Sequence, residues 1–187
     1  PIAKLVPYVK AVTDAEIDAL VAEYDKLYDI APDAAKGGKN HIHLRAAAAQ
    51  EIGLRRFLDD KGAKAFTTNF DELEGMDQLM GFASQRLMAE GYGFGAEGDW
   101  KTAALVRTMY VMSRGLEGGG SFLEDYTLNF DGENTSVLQA HMLEISPAIS
   151  KAKPKIEVHF LGIGDAGTCA RLVFTAHEGE GIACTIV

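Results

Sequence analysis

The sequence predicts an α/β fold: an α/β unit over residues 1–117, followed by the beginning of a mostly antiparallel β domain over residues 118–187. Three observations carry this. Apolar residues recur at helical spacing through the first part. A short apolar run stands between two of these stretches, so that helix and strand alternate. From Gly118, Gly119 and Gly120 onward, the texture changes to short strand-like runs separated by turn residues.

Thr13 and Glu16 form a capping box ahead of Ile17, Leu20, Val21, Tyr24, Leu27 and Tyr28, a pattern that predicts an amphipathic helix. Residues 32–40 are a loop of Pro, Gly and Lys. A second helix is expected over residues 41–60, with Leu44, Ala48, Ile52 and Phe57 facing inward and Gly62 ending it. Residues 63–70 read as a short buried strand, and residues 79–90 as a helix stopped by Gly91. The glycine-rich loop 91–98 leads to Asp99, a natural N-cap for a helix over 100–114 that Gly115 closes. Helix, strand and helix in that order imply a layered, Rossmann-like α/β arrangement.

Past a boundary near residues 115–120, strands are expected at 121–130, 136–145, 156–161, 170–175 and 182–187, with no further helix. The last of these would end at Val187 as an uncovered edge, which complete proteins usually avoid. With Pro1 rather than Met at the start, this makes a fragment the expectation. Residues 2–12 lack the basic-then-apolar layout of a signal peptide.

The 187 residues, 47% apolar and 24% charged, suffice for a sizeable core. No apolar run approaches the roughly 20 residues of a membrane span. Cys169 and Cys184 offer one bridge at most, no disulfide framework, so reduced thiols and a cytoplasmic location are expected. The net charge of −9 opposes binding to nucleic acid or an anionic membrane. All of the excess lies in residues 66–150, where 13 acids face only Arg86, Lys101, Arg107 and Arg114. Two readings of it stand: a solvated acidic face, or a site for a divalent cation, which needs carboxylate oxygens.

Alternation along residues 121–130 places Phe122, Glu124, Tyr126, Leu128 and Phe130 on one face. In the next strand Val137, Gln139, His141, Leu143 and Ile145 share a face. Between them Asp131-Gly132-Glu133-Asn134 suits a two-residue type II′ turn. In that register Glu124 stands directly opposite His141, at about 4.5–5.5 Å between Cβ atoms. The pair is either half of a metal site or a buried hydrogen bond that satisfies both groups. Glu97, in Gly95-Ala96-Glu97-Gly98-Asp99-Trp100, is either a third oxygen ligand or part of an ordinary acidic loop. Two carboxylates and an imidazole around a Mn²⁺-type ion can hold the oxygens of a sugar and move its protons, one carboxylate as base and the other as acid.

Other motifs are set aside. Residues 162–167 match a dinucleotide fingerprint, but a strand rather than a helix is expected after them, which makes the segment a hairpin loop. His41 and His43, two apart, fall on different faces of a helix and read as surface or helix-start residues. His159 and His177 receive no role.

The blocks Glu97-Gly98-Asp99-Trp100-Lys101-Thr102-Ala103-Ala104, Ser121-Phe122-Leu123-Glu124-Asp125-Tyr126-Thr127 and His141-Met142-Leu143-Glu144 closely resemble the L-arabinose isomerase family. The likeness extends through Phe66-Thr67-Thr68-Asn69-Phe70, residues 81–92 and residues 159–164. The resemblance implies an aldose–ketose isomerase of arabinose catabolism that converts L-arabinose to L-ribulose, and often D-galactose to D-tagatose, through an ene-diol. It implies Mn²⁺ or another divalent cation, with Glu97 and Glu124 as metal ligands and acid/base pair, His141 as a third ligand, and Phe70 lining the sugar site. It also implies a homohexamer with sites between subunits. Members of the family carry a further domain before the region matched here and, after it, a fourth ligand, a histidine. The chain is therefore expected to be a central domain with the start of a C-terminal domain, and to have little isomerase activity by itself. The alternative is a non-catalytic scaffold or a weak metal- or sugar-binding module.

Overall fold

The computed structural model describes residues 2–70, 73–162 and 167–187. Its first helix, α1 (Ile2–Lys10), was not expected from the sequence, since nine residues containing Pro7 are a poor autonomous helix. Tertiary contact supports it: Leu5 and Val6 are buried, and the backbone of Val9 lies so close to Gly53 that a Cβ there would stand 2.7 Å away.

Helix α2 (Asp14–Leu27) starts at the predicted capping box, with the Thr13 hydroxyl accepting from the Glu16 N–H and the Glu16 carboxylate accepting from the Thr13 N–H. After β1 (Asp29–Ile30), α3 (His41–Asp60) occupies the predicted range. Its buried stripe runs through Leu44, Ala47, Ala48, Glu51, Leu54 and Leu58, whereas Ile52 and Phe57 are only partly buried. The difference arises because Glu51, a charged residue, belongs to the interior face, where Arg86 neutralises it.

Strand β2 (Ala65–Thr67) is shorter than the predicted segment and only half-buried. Helix α4 (Gly81–Ala89) is buried from Gly81 to Met88, polar residues included, and forms the centre of the molecule. Gln85 secures it on two sides: its amide nitrogen donates to the carbonyls of Ile145 (2.9 Å) and Leu172 (3.1 Å), and its amide oxygen accepts from the Leu172 N–H (2.8 Å). Within the expected glycine loop lies a strand, β3 (Gly93–Gly95), parallel to β2 and followed by α5 (Trp100–Met112). The succession β2, α4, β3 is a βαβ unit, the local form taken by the expected α/β layering.

Strands β4 (Glu124–Asn129) and β5 (Ser136–Ala140) form an antiparallel hairpin. A 3-10 turn, Pro147–Ile149, precedes β6 (Lys155–Phe160) and β7 (Thr168–Val173), which pair antiparallel. Strand β6 also pairs parallel with β1, so the sheet order is β1-β6-β7 and both halves of the chain contribute to it. The strand expected over 182–187 is absent; that segment is irregular, and the only pairing near it among the described residues is a bridge between Ser150 and Ala176. Apolar sequence alone does not make a strand where no partner stands beside it. The loop with the dinucleotide-like motif joins β6 to β7, but residues 163–166 lie outside the described residues.

Three apolar clusters fill the interior. One joins Leu5, Leu54, Leu58, Leu87 and Leu143; a second joins Tyr24, Leu44, Phe82, Ile156 and Leu172; a third consists of Met88, Phe94, Ala96 and Phe122. The third bears directly on the site.

Candidate functional site

Aromatic rings link α/β unit and hairpin: Phe66 meets Phe94, Phe94 meets Phe122, each at 5.4 Å, and Phe122 meets the His141 ring edge-on at 5.1 Å. Phe122 is buried, and its position two residues before Glu124, the first residue of β4, anchors the segment from which Glu124 emerges.

Glu97 follows β3 in a left-handed backbone conformation, φ 55°, unusual for a residue with a Cβ. The next N–H, that of Gly98, donates to the Thr67 hydroxyl (2.8 Å) and the Thr68 carbonyl (3.2 Å). Thus the Phe66-Thr67-Thr68 segment holds the loop that presents Glu97. On the other side Asp99 caps α5, accepting from the Thr102 N–H (2.9 Å) and hydroxyl (2.6 Å). Those bonds, the hydroxyl's first, hold the Asp99 carboxyl below the usual range.

The hairpin departs from the expected register. Near its turn the pairs are Asn129 with Ser136, Leu128 with Val137 and Thr127 with Leu138, as expected. A bulge at Tyr126 then shifts the pairing, so that Glu124 lies opposite Ala140 and not His141. The turn is also longer than two residues, since ladder pairing ends at Asn129 and Ser136. Nor is the β4 face interior: Tyr126, Leu128 and Phe130 are exposed. His141 sits just past the end of β5 rather than within it.

Even so, the two side chains meet. His141 Nε2 is 3.9 Å from Glu124 Oε2, too long for a hydrogen bond. His141 Nδ1 is 2.8 Å from Oε2 of Glu144, a residue not among those expected at the site from the sequence. The His141 side chain is 9% exposed and Glu144 7%, while Glu124 is 39% exposed. Burial pulls the His141 pKa down, but the Glu144 hydrogen bond and the charges of Glu144, Glu124 and Glu97 outweigh it and leave the pKa raised. Tyr126 is likewise raised, by burial first and then by the charges of Glu124, Glu144 and Glu97. Three carboxylates therefore act on one small region beside an imidazole.

Glu97 acts there through its charge, and among the described residues no group of three or more His, Cys, Asp or Glu side chains closes around a single point. The donor set nevertheless fits a divalent cation. A buried imidazole with one nitrogen fixed by a carboxylate and the other turned toward a second carboxylate is the usual outer and inner arrangement of a histidine ligand.

Phe70 is half-buried against the first apolar cluster, to which Leu143 also belongs. His41 Nδ1 lies 2.9 Å from the Ala34 carbonyl at the start of α3, a structural contact. His159 pairs with Glu157 (2.7 Å). Cys169 is buried, Cys184 exposed, and both are unpaired. Among the described residues no helix is long and apolar enough to cross a membrane. A cleft of about 530 Å³ between α2, α3 and α4, lined by Glu23, Glu51, Arg55 and Arg86, includes none of the site residues.

Comparison with known proteins adds the family context. The family model described as L-arabinose isomerase central domain matches residues 1–115, and that described as L-arabinose isomerase C-terminal domain matches residues 119–187. Relatives named L-arabinose isomerase include that of Clavibacter sepedonicus, 55% identical over 178 residues, covering 95% of this chain and 35% of the relative. That of Bacteroides thetaiotaomicron is 56% identical over 196 residues, covering 100% of this chain and 38% of the relative. That of Clostridium beijerinckii is 55% identical over 183 residues, covering 98% and 36%. The chain thus spans little more than a third of the length of the curated relatives it matches.

Proposed function

The chain belongs to the L-arabinose isomerase family, and on that premise we propose that it supplies part of an aldose–ketose isomerase site acting on L-arabinose to give L-ribulose, with D-galactose to D-tagatose as a second conversion. The observation that supports this most directly is the approach of Glu124 Oε2 to the buried His141 Nε2 at 3.9 Å.

Glu97, Glu124 and His141 would hold Mn²⁺ or a similar divalent cation, as their oxygen and imidazole donors suit such an ion. A bound cation supplies positive charge that polarises the carbonyl and hydroxyl oxygens of the open-chain sugar. The reaction moves a proton from C2 of the aldose to C1, and another from the C2 hydroxyl to the oxygen at C1, by way of an ene-diol. Glu97 and Glu124 are the groups in this reading that take up and return these protons. Half-exposed Glu124 faces the sugar, while His141, buried against Phe122, is held still. Phe70 would line the sugar site with an apolar ring. A homohexamer and a cytoplasmic location complete the reading; the two unpaired thiols accord with the latter.

The experiment places this segment in a full-length relative and measures ketose formation from L-arabinose. Glu97→Gln or Glu124→Gln should abolish ketose formation while the melting temperature stays within a few degrees of the parent. Activity surviving both changes would refute the isomerase assignment and favour a scaffold role.

A further inference from the structure

Resting on the isomerase reading, we propose that Glu144 is a positioning residue, which accepts a hydrogen bond from the Nδ1–H of His141 and thereby fixes the ring in the tautomer whose Nε2 lone pair faces Glu124. The geometry bears on the proton directly. His141 Nδ1 lies 2.8 Å from Glu144 Oε2. A carboxylate accepts hydrogen bonds and does not donate them, so at this distance the hydrogen sits on Nδ1. The Glu144 N–H also points at Nδ1, at 3.5 Å, which would require the opposite tautomer. The short contact with a carboxylate outweighs a long one at the limit of hydrogen bonding.

The surroundings hold this pair in place. Leu143 is buried against Gly81 of α4, where a Cβ would come within 2.8 Å of the leucine Cβ. The Ile145 carbonyl accepts from Gln85 (2.9 Å), the Ser146 N–H donates to the Ser121 hydroxyl (2.8 Å), and the Met142 carbonyl accepts from Arg171 (3.1 Å). Met142, Leu143, Ile145 and Ser146, on either side of Glu144, are thus tied to α4, β7 or the segment before β4, leaving Glu144 little freedom to release the ring. A neutral imidazole free in water prefers its proton on Nε2, the nitrogen that a cation beside Glu124 would need. Glu144 reverses that preference before any ligand arrives, and its charge makes Nε2 a stronger donor.

Two measurements on the 187-residue chain separate this proposal from the reading beneath it. The first is the long-range ¹H–¹⁵N spectrum of the imidazoles without metal, at a pH where the rings are neutral, with His141→Ala assigning the signal. The Nδ1–H tautomer is expected in the parent and in Glu144→Gln, whose amide oxygen still accepts, and a shift toward Nε2–H in Glu144→Ala. An Nε2–H ring in the parent, or a Glu144→Ala spectrum unchanged from it, would overturn the proposal, whether or not metal binds. The second is Mn²⁺ titration by calorimetry, where Glu144→Ala should weaken binding by about 10–100-fold and Glu144→Gln by less. Parental affinity in Glu144→Ala would also overturn it. A parent that binds no Mn²⁺ would count against the metal reading, and the tautomer would still decide the role of Glu144. Should Glu144→Ala fail to fold, the parent and Glu144→Gln spectra decide: Nε2–H in either overturns the proposal.

Discussion

Arg86 Nε lies 3.1 Å from Glu51 Oε2 and 3.3 Å from its Oε1, and this pair fastens α4 to α3 in the interior. Tyr24 donates to the same carboxylate (2.7 Å), and Arg86 reaches on to the Tyr28 hydroxyl (3.1 Å) and to Glu23 (2.9 Å), which brings in α2. The Glu51 side chain is 1% exposed and that of Arg86 10%. Arg55 Nη2 also reaches Glu51 Oε1 (3.0 Å), so removing Arg86 strips the carboxylate of the more buried of its two arginines without leaving it unpaired, and Arg86→Met should cost about 1–3 kcal/mol. The double change Glu51→Leu with Arg86→Met should cost less than the two single changes together. Urea unfolding of the four proteins checks this, and a loss below about 1 kcal/mol for Arg86→Met would show the pair to be dispensable.

What the sequence discloses depends on how local the cause is. The α2 capping box joins residues three apart, and the Asp99 cap joins Asp99 to Thr102, so both helices start where short-range pattern puts them. Helix α1 depends on contact with Gly53, more than forty positions away, and nothing in its nine residues announces that. Strand β3 is Gly-Phe-Gly, poor in β-propensity, and exists because α5 needs a surface without side chains. At the site, motif and face point to Glu97, Glu124 and His141, and the last two meet at 3.9 Å. The bulge at Tyr126 leaves no mark in the alternation that defines the faces or in the turn residues that set the expected register. Tyr126 shares its predicted face with Glu124, and Glu144 stands three residues from His141, so the sequence carries a local signal for both. The hold of Thr67 on the Glu97 loop joins two segments thirty-one residues apart and has no local signature.

Close approach at Gly93 makes a second prediction. A Cβ there would lie 2.0 Å from the Ala103 carbonyl oxygen and 2.8 Å from Arg107 Cβ, both on α5. Backbone cannot step aside as a side chain does, so Gly93→Ala should push α5 off β3 and cost about 1–3 kcal/mol or more. Thermal melting checks this; a variant as stable as the parent would mean that α5 has room to move.

Acid should weaken the start of α2. Glu16, bonded first by the Thr13 N–H, then by the Thr13 hydroxyl and by Arg56, has its carboxyl lowered to about 2 from an ordinary 4.5. A carboxyl lowered on folding stabilises the folded chain fully above the unfolded value, and that contribution is lost as pH falls through the folded one. The advantage of the parent over Glu16→Gln in melting temperature should therefore hold steady above about pH 5 and shrink from there down to about 2. A difference unchanged at pH 2.5 would mean that the carboxylate contributes nothing. Thr13→Ala, which deletes the cap hydroxyl, should cost about 1 kcal/mol at neutral pH.

The conformation of Glu97 sets stability against chemistry. Its φ of 55° burdens any residue with a Cβ by about 1–2 kcal/mol, and glycine would occupy the same position without that strain. No packing role for the carboxylate offsets the strain; its visible effect is electrostatic, on His141 and Tyr126. Glu97→Gly should then leave the chain as stable as the parent or up to about 1 kcal/mol more so, with Mn²⁺ binding weakened or abolished. Glu97→Gln, which keeps the strained backbone and removes only the charge, should match the parent in stability and still bind Mn²⁺ poorly. A glycine variant clearly less stable than the parent would mean that the side chain at 97 serves the fold. Undiminished Mn²⁺ binding in both variants would mean that the loop holds its strain for something other than the metal, since a residue kept in a disfavoured conformation without benefit is readily replaced.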